Sequence, residues 1–305
     1  MTKVLVATDK PFAKVAVDGI REIIEDAGFT LSLLEKYTDV NDFYNAVKDA
    51  DALIVRSDKV TKQVVDNAEK LKIVVRAGAG YDNLDLDALS QKNIVAMNTP
   101  GQNSNAVAEL AIGMMIFMAR SAFNPQTGTE LLGKRLGLQA YGHVGALVAQ
   151  KAKALGMEVY AFDPFVSKED MEKQGVKAVS SVEELYKTCN YVSIHIPANE
   201  KTKKSINYNL ISLLPKGGCI INTARKEVIN EEDLLKCLKE REDIKYCSDI
   251  AADNQNELNE FFPRVFSTPK KMGAQTQEAN INAGLAAARQ IVDFIKNGVT
   301  KFKVN

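Results

Sequence analysis

Two glycines and an aspartate in the middle of the chain have the spacing of a dinucleotide-binding turn. Gly142 and Gly145 follow the apolar run 136–140 and open a helical pattern, and Asp163 stands 18 residues after Gly145, where the next apolar run ends. Gly142 would let the backbone approach a pyrophosphate, and Gly145 would let the helix pack closely on the strand. The pattern predicts a strand–turn–helix–strand unit that binds a dinucleotide; the alternative is a structural turn without a ligand.

Asp163 and the start of the helix indicate which dinucleotide would bind. A carboxylate at this point accepts hydrogen bonds from a ribose diol and repels a 2′-phosphate, so NAD is favoured over NADP. His143 and Val144 would lie at the pyrophosphate, where the free N–H groups and dipole of the helix N-terminus favour negative charge. The usual first glycine of the turn is replaced by Ala140, which we expect to fit if its φ is negative.

Short apolar runs alternate with helical patterns along the chain, which predicts βαβ units and parallel sheets. A long helical pattern over 103–120 separates two such series, and a final helix is predicted over 280–296. The fold class predicted is α/β, with two doubly wound parallel-sheet domains. The predicted strands are the runs 4–7, 31–34, 52–55, 73–75 and 94–97, then 136–140, 158–162, 191–196, 219–222 and 246–250.

Composition excludes several classes of protein. Lys plus Arg equals Asp plus Glu, at 39 residues each, so the chain has no charge footprint for nucleic acid or an anionic membrane. Four cysteines without a CxxC pair indicate reduced thiols, and two histidines argue against a His-rich metal site. Because we find no signal peptide and no apolar stretch long enough to span a bilayer, we expect a cytoplasmic protein without a membrane segment.

Five segments in register resemble the D-2-hydroxyacid dehydrogenases. They are VRAGAGYDNLDLDAL, NTPGQNSNAVAELA, LQAYGHVG, VSIHIPANEKTKKSIN and INTARKEVINEEDL, and their order and spacing match along nearly the whole chain. The resemblance implies a Rossmann-type NAD domain, residues 101–283, inserted into a split flavodoxin-like substrate domain, residues 1–100 plus 284–305. It also implies a homodimer.

The resemblance assigns several residues to the cofactor. His195, Ile196 and Pro197 match a loop that covers the adenosine, and Thr202 lies just beyond it. A general-base role for His195 is the alternative, but the resemblance favours a place beside the cofactor. Three further residues match family positions near the nicotinamide: Thr223, Ala224 and Asp249.

The resemblance also implies how a substrate would be held. Arg225 matches the family's catalytic arginine, whose planar guanidinium can bind a carboxylate and polarise a carbonyl. Ala77 and Gly78 belong to a loop whose backbone N–H groups hold the substrate carboxylate. The segment Arg56–Ser57–Asp58–Lys59 follows a buried strand, and we take Arg56, Ser57 and Lys59 as candidates for a substrate phosphate; a solvated charge pair is the alternative.

The sequence departs from the family at the proton-transfer pair. Where the family has a His after Thr-Pro, this chain has Lys271, with Lys270 as the other candidate, and the partner Glu is replaced by Asn254. Either acid–base function is lost or a lysine carries it. A lysine base needs its pKa lowered from about 10.4, which a neighbouring Arg225 and burial favour and an ionised Glu would oppose. A neutral Asn254 therefore favours the lysine.

The resemblance implies a function for the chain. It is NAD-dependent oxidation of 3-phospho-D-glycerate to 3-phosphohydroxypyruvate, the first step of serine biosynthesis. One rival is a reductase of hydroxypyruvate, glyoxylate or another 2-keto acid, which the basic residues Arg56 and Lys59 argue against. The other is a non-catalytic NAD-sensing binding protein, which the absent His and Glu would suit but Arg225 and the intact glycine loop do not.

Replacing Lys271 with Met should lower turnover by about 10²- to 10⁴-fold, the range that positioned proton transfer contributes. Lys270→Met is the companion variant, because Lys270 is the other candidate for the same role. Steady-state absorbance of NADH measures both. The lysine hypothesis fails if neither variant loses turnover.

Overall fold

The apolar runs predicted as strands form two parallel sheets in the computed structural model, which describes residues 1–305. The chain divides into two units, one made of Met1–Asn103 with Gln275–Asn305 and the other of Ser104–Ala274. No helix combines the length and apolar character needed to cross a membrane.

The first unit contains a five-stranded sheet. Its strand order, β2-β1-β3-β4-β5, is the flavodoxin-like order. The strands are β1 (Lys3–Thr8), β2 (Thr30–Glu35), β3 (Ala52–Val55), β4 (Ile73–Arg76) and β5 (Val95–Asn98), and the helices between them are α1 (Lys14–Asp26), α2 (Val40–Val47), α3 (Lys62–Asn67) and α4 (Leu86–Gln91).

The second unit contains a seven-stranded sheet in the order β12-β11-β10-β9-β6-β7-β8. Counted from its own first strand this is the Rossmann order with one added strand. The helices are α5 (Ser104–Ala119), α6 (His143–Ala154), α7 (Lys168–Lys173), α8 (Val182–Thr188), α9 (Tyr208–Ile211), α10 (Glu231–Glu240) and α11 (Gln255–Asn259); the strands are β6 (Arg135–Gln139), β7 (Glu158–Phe162), β8 (Lys177–Ala178), β9 (Tyr191–Ile194), β10 (Cys219–Asn222), β11 (Lys245–Ser248) and β12 (Val265–Ser267).

The last helix, α12 (Gln277–Asn297), returns to the first unit and packs along α1. Gly284 allows this close packing, because a Cβ there would stand 3.0 Å from Ile20 Cδ1 and 3.1 Å from Phe12 Cε1. All of α12 therefore lies in the first unit, whereas the sequence-based division places residues 275–283 with the other domain.

The predicted fold class is confirmed. Strands β3, β9 and β10 are buried along their whole length, as expected for parallel strands with helices on both faces. In each sheet the strand order reverses once, next to β1 in the first unit and next to β6 in the second. Loops at the carboxyl ends of these strands are where doubly wound sheets bind ligands.

Candidate active site

The glycine turn joins β6 to α6 and is as tight as the spacing predicts. A Cβ on Gly145 would stand 2.4 Å from the carbonyl oxygen of Ala140, so only glycine lets α6 begin this close to the strand. A Cβ on Gly142 would meet no atom within 4 Å. The open space beside Gly142 suits the approach of a pyrophosphate to the backbone.

Ala140 does not have the negative φ that was the condition for alanine to fit this turn. Its φ is +83°, in the region where a Cβ is unfavourable and glycine is the usual residue. The backbone is held there from both sides, since the Ala140 N–H donates to Phe162 O at 2.9 Å and its carbonyl packs on Gly145. The turn thus holds Ala140 in a conformation that glycine adopts more easily, at a local energetic cost.

Asp163 follows β7 and is oriented by main-chain donors. Its Oδ2 accepts from the Tyr141 N–H at 2.7 Å and its Oδ1 from the Phe165 N–H at 2.8 Å. The first turn of α6 has no side-chain cap and no acidic residue, so the N–H groups at His143 and Val144 remain available to an anion. These features fit the ribose and pyrophosphate of a dinucleotide.

His195 follows β9, beside the glycine turn. Its main-chain N–H donates to Gln139 O at 2.9 Å, and its Nε2 is buried without a hydrogen-bond partner. Burial lowers the pKa of His195 to about 4, so the ring is neutral and only weakly basic near neutral pH. This favours a place beside the cofactor over a role as general base.

The loop after His195 is closed by one hydroxyl group. Thr202 Oγ1 donates to Pro197 O at 2.5 Å and accepts from the Asn199 N–H at 2.8 Å, while Ile196 is half-buried. Thr223, at the end of β10, has a buried hydroxyl without a partner. Buried polar atoms usually have a hydrogen-bond partner, and Thr223 Oγ1 and His195 Nε2 have none. A bound cofactor would supply the missing hydrogen bonds.

Asn222 shapes the loop that carries Arg225. The Asn222 side chain accepts from the Ala224 N–H at 3.0 Å and donates to Arg225 O at 3.0 Å. The Arg225 Nη1 donates in turn to Ala224 O at 3.0 Å. A single buried amide therefore sets the direction of the Ala224 carbonyl.

Lys271 reaches the same carbonyl from another loop. Its Nζ donates to Ala224 O at 2.6 Å, and the residue is half-buried, whereas Lys270 is exposed. The two cationic groups of Arg225 and Lys271 thus lie within a few ångströms of each other. The structure brings together the arginine and one of the two lysines selected from the sequence.

Asn254 is held by Glu231 rather than by the lysine. The Asn254 N–H donates to Glu231 Oε2 at 3.3 Å, its Nδ2 donates to Glu231 O at 3.4 Å, and its Oδ1 is buried without a partner. The neighbouring Asp253 forms an ion pair with Lys226. Asn254 therefore makes no hydrogen bond that reproduces the family's paired His and Glu.

Arg56 is largely engaged within the first unit. Its Nη1 donates to Lys10 O at 2.9 Å and to Pro11 O at 3.1 Å. Its Nη2 donates to Asn280 Oδ1 at 2.6 Å, on α12. Nε and one Nη2 proton are left for a ligand, while Ser57 and Lys59 are exposed. Arg56 fixes the loop after β1 as well as carrying charge.

Asp58, between those residues, is buried and adds a negative charge. Its Oδ1 accepts from the Tyr37 hydroxyl at 2.7 Å and from the Asp9 N–H at 2.8 Å. This carboxylate, together with burial, raises the pKa of Tyr37 well above its ordinary value, with burial the larger cause.

The glycine loop after β4 uses some of its N–H groups internally. The Ala77 N–H donates to Val55 O at 2.9 Å and the Gly78 N–H to Arg76 O at 2.9 Å. Gly78 has φ +148°, and a Cβ on it would stand 1.4 Å from Arg76 Nη1. The N–H groups of Ala79 and Gly80 are the ones left for a ligand.

Sequence reasoning missed one residue that shapes the loop of Arg225 and one that holds Asn254. Asn222 and Glu231 were not selected, and Asp249 was selected only for the cofactor. A polar residue that ends a buried strand directly before Thr-Ala-Arg was the available signal for Asn222. No local pattern indicates that Glu231 holds Asn254, because the two are far apart in sequence.

The central part of the chain matches a known protein family. Residues 112–270 match the family described as D-isomer specific 2-hydroxyacid dehydrogenase, NAD binding domain.

Curated relatives carry the name D-3-phosphoglycerate dehydrogenase. The protein from Methanocaldococcus jannaschii is 36% identical over 277 residues, which cover 85% of this chain and 52% of that protein. The protein from Homo sapiens is 34% identical over 295 residues, covering 90% and 54%. The chain thus spans about half the length of the curated relatives it matches.

Solved structures match over the whole chain. The NAD+-bound 3-phosphoglycerate dehydrogenase of Entamoeba histolytica is 50% identical, with a TM-score of 0.90, covering 100% of this chain and 98% of that one. D-2-hydroxyisocaproate dehydrogenase is 23% identical, with a TM-score of 0.84 and 99% coverage of both chains, which shows a shared fold.

Replacing Ala140 with Gly should leave the protein as stable or more stable. Glycine removes a positive-φ penalty of about 1–2 kcal/mol and adds about 0.4–1 kcal/mol of unfolded-state freedom. The matched variant Ala286→Gly, in the middle of α12, should lose about 1 kcal/mol. Urea unfolding measures the free energy of unfolding of both variants. An equal loss of stability in the two would contradict a strained backbone at Ala140.

His195 should make the protein less stable in acid. Its folded-state pKa of about 4 lies below the ordinary 6.5, so the unfolded chain binds the proton first. The contribution of neutral His195 to the free energy of unfolding is complete above pH 6.5. It declines as pH falls toward 4, by at most about 1.4 kcal/mol per pH unit. In urea unfolding, His195→Gln should flatten this slope and the exposed-site variant His143→Gln should not; an unchanged slope in His195→Gln would refute the assignment.

Proposed function

Because the chain belongs to the D-2-hydroxyacid dehydrogenase family, we propose that it oxidises 3-phospho-D-glycerate to 3-phosphohydroxypyruvate with NAD. The observation that carries the proposal is the convergence of Arg225 and Lys271 on Ala224 O. The substrate follows the names of the curated relatives and of the Entamoeba histolytica structure. A role in serine biosynthesis, a cytoplasmic location and a homodimer belong to the same proposal.

Arg225 is the substrate-orienting cation in this proposal. Its Nη1 donates to Ala224 O, and a guanidinium carries five N–H donors in a fixed plane. The same plane can contact a carboxylate oxygen and the oxygen on C2, where negative charge would develop in the reverse reaction.

Lys271 is the acid–base group. In its neutral form its Nζ takes the proton of the C2 hydroxyl while the C2–H bond breaks, and in the reverse direction it returns that proton. Its bond to Ala224 O fixes the nitrogen beside Arg225, which supports Lys271 over the exposed Lys270. Asn254 adds no negative charge there, which favours the neutral lysine.

The cofactor side uses residues of the second unit. NAD, when bound, supplies the acceptor for the hydride that leaves C2. Gly142, His143 and Val144 would hold its pyrophosphate, and Asp163 its ribose, with the carboxylate already directed by two main-chain N–H groups. His195 and Thr223 would contact it through buried polar atoms that lack other partners.

The first unit supplies anion-binding groups. The N–H groups of Ala79 and Gly80, in the loop that Gly78 allows to turn, would bind the substrate carboxylate. Lys59 and Ser57 are exposed and would bind the phosphate together with the remaining donors of Arg56.

Lys59→Met should raise KM for 3-phospho-D-glycerate by about tenfold or more, the worth of one charge-assisted hydrogen bond. KM for unphosphorylated D-glycerate should stay unchanged, since no phosphate is lost. Lys62→Met, an exposed lysine paired with Asp66, is the control. NADH absorbance measures all three proteins with both substrates.

Two outcomes would replace the proposal. Faster reduction of hydroxypyruvate or glyoxylate than of 3-phosphohydroxypyruvate would indicate a 2-keto acid reductase. Binding of NADH without turnover of any hydroxy acid would indicate an NAD-sensing protein.

A further inference from the structure

We propose that Asp249 is a positioning residue, whose carboxylate holds the segment 268–273 so that Lys271 reaches Ala224 O. The inference rests on the proposed function and adds a residue that acts through the lysine. Asp249 follows β11 and is 1% exposed, so its carboxylate depends on protein donors.

The donors come from both sides of Lys271. Asp249 Oδ1 accepts from the Met272 N–H at 3.0 Å and lies 3.2 Å from the Thr268 hydroxyl, whose single proton is shared between this oxygen and Lys270 O at 3.0 Å. Asp249 Oδ2 accepts from the Gly273 N–H at 2.7 Å. Because these bonds bracket Lys271 in the chain, they fix its backbone at a position from which Nζ reaches Ala224 O.

Gly273 shows how closely the segment lies on the carboxylate. A Cβ on Gly273 would stand 2.8 Å from Asp249 Oδ2 and 3.4 Å from Val107 Cγ2 and from Leu110 Cδ2. Any side chain here would push the segment away from Asp249. Gly273→Ala therefore perturbs the same contact from the opposite side.

Asp249 is also linked to the acceptor that Lys271 uses. Its main-chain N–H donates to Asn222 O at 2.9 Å, and the Asn222 side chain directs Ala224 and Arg225. Lys271 Nζ is thus held through Asp249, and Ala224 O through Asn222. These two residues are hydrogen-bonded to each other at the ends of the neighbouring strands β10 and β11. A shift of Asp249 would move Lys271 relative to Arg225.

Asparagine cannot replace this carboxylate. An ionised Asp is an acceptor at both oxygens, whereas Asn would place an NH₂ group against a main-chain N–H. Asp249→Asn should therefore release one side of the segment. We expect kcat to fall roughly 10- to 100-fold, since a displacement of an ångström can cost that much.

The test is a double-mutant cycle on the whole chain with 3-phospho-D-glycerate and NAD across pH 6 to 10. Asp249→Asn should lower kcat and change its pH profile, while on the Lys271→Met background it should change kcat by less than about twofold. Equal losses on both backgrounds, or a higher KM for NAD with unchanged kcat, would overturn the proposal.

Asp243→Asn is the matched control. That carboxylate also accepts a main-chain N–H, from Gly217 at 2.7 Å, and it pairs with Arg241. The variant Asp243→Asn should leave the pH profile of kcat unchanged. If Asp249→Asn does not fold, Gly273→Ala carries the test with the same expected loss of kcat and the same cycle.

Hydrogen exchange separates this inference from the proposed function. Exchange of peptides spanning 268–274 should quicken in Asp249→Asn and not in Asp243→Asn, whether or not the protein turns over this substrate. Unchanged exchange would overturn the role of Asp249. Quickened exchange in a protein whose parent is inactive would sink only the proposed reaction.

Discussion

The carbonyl oxygen of Ala224 accepts hydrogen bonds from two cationic side chains, and the arrangement of the second unit serves to make this possible. When Lys271 is protonated it carries the same charge as Arg225, so the closeness of the two side chains is imposed by the fold. The shared oxygen provides negative partial charge between them.

Parallel strand order explains how distant segments meet at that oxygen. Strands β10, β11 and β12 are neighbours in the sheet and run in the same direction, so the loops after their carboxyl ends lie side by side. Asn222 ends β10, Asp249 follows β11, and Lys271 follows β12. Each loop contributes one part: a directed carbonyl, a carboxylate that holds a segment, and an amine.

Much of this could be predicted from the sequence where the cause is local. Apolar runs identified the buried strands, and the glycine spacing identified the turn. Strand β8 has two residues and β12 three, too short for an apolar run to stand out. The positive φ of Ala140 could not be predicted, because contacts with Gly145 and with Phe162 on the next strand hold its backbone.

The partners of charged side chains were the least predictable part. Arg56 binds Asn280, more than two hundred residues away, so its engagement within the first unit has no local signal. Gly78 was selected for a backbone N–H that is already bonded to Arg76 O. Which lysine is held near Arg225 depends on the donors to Asp249, which only the folded chain brings together.

The most direct test of the account is the pH dependence of kcat for 3-phospho-D-glycerate oxidation, from pH 6 to 10, in the parent and in Lys271→Met. If Lys271 takes the hydroxyl proton, kcat in the parent rises with pH as the lysine becomes neutral, and the variant is slow with no such rise. A variant that keeps the parent's pH profile would contradict a lysine base held at Ala224.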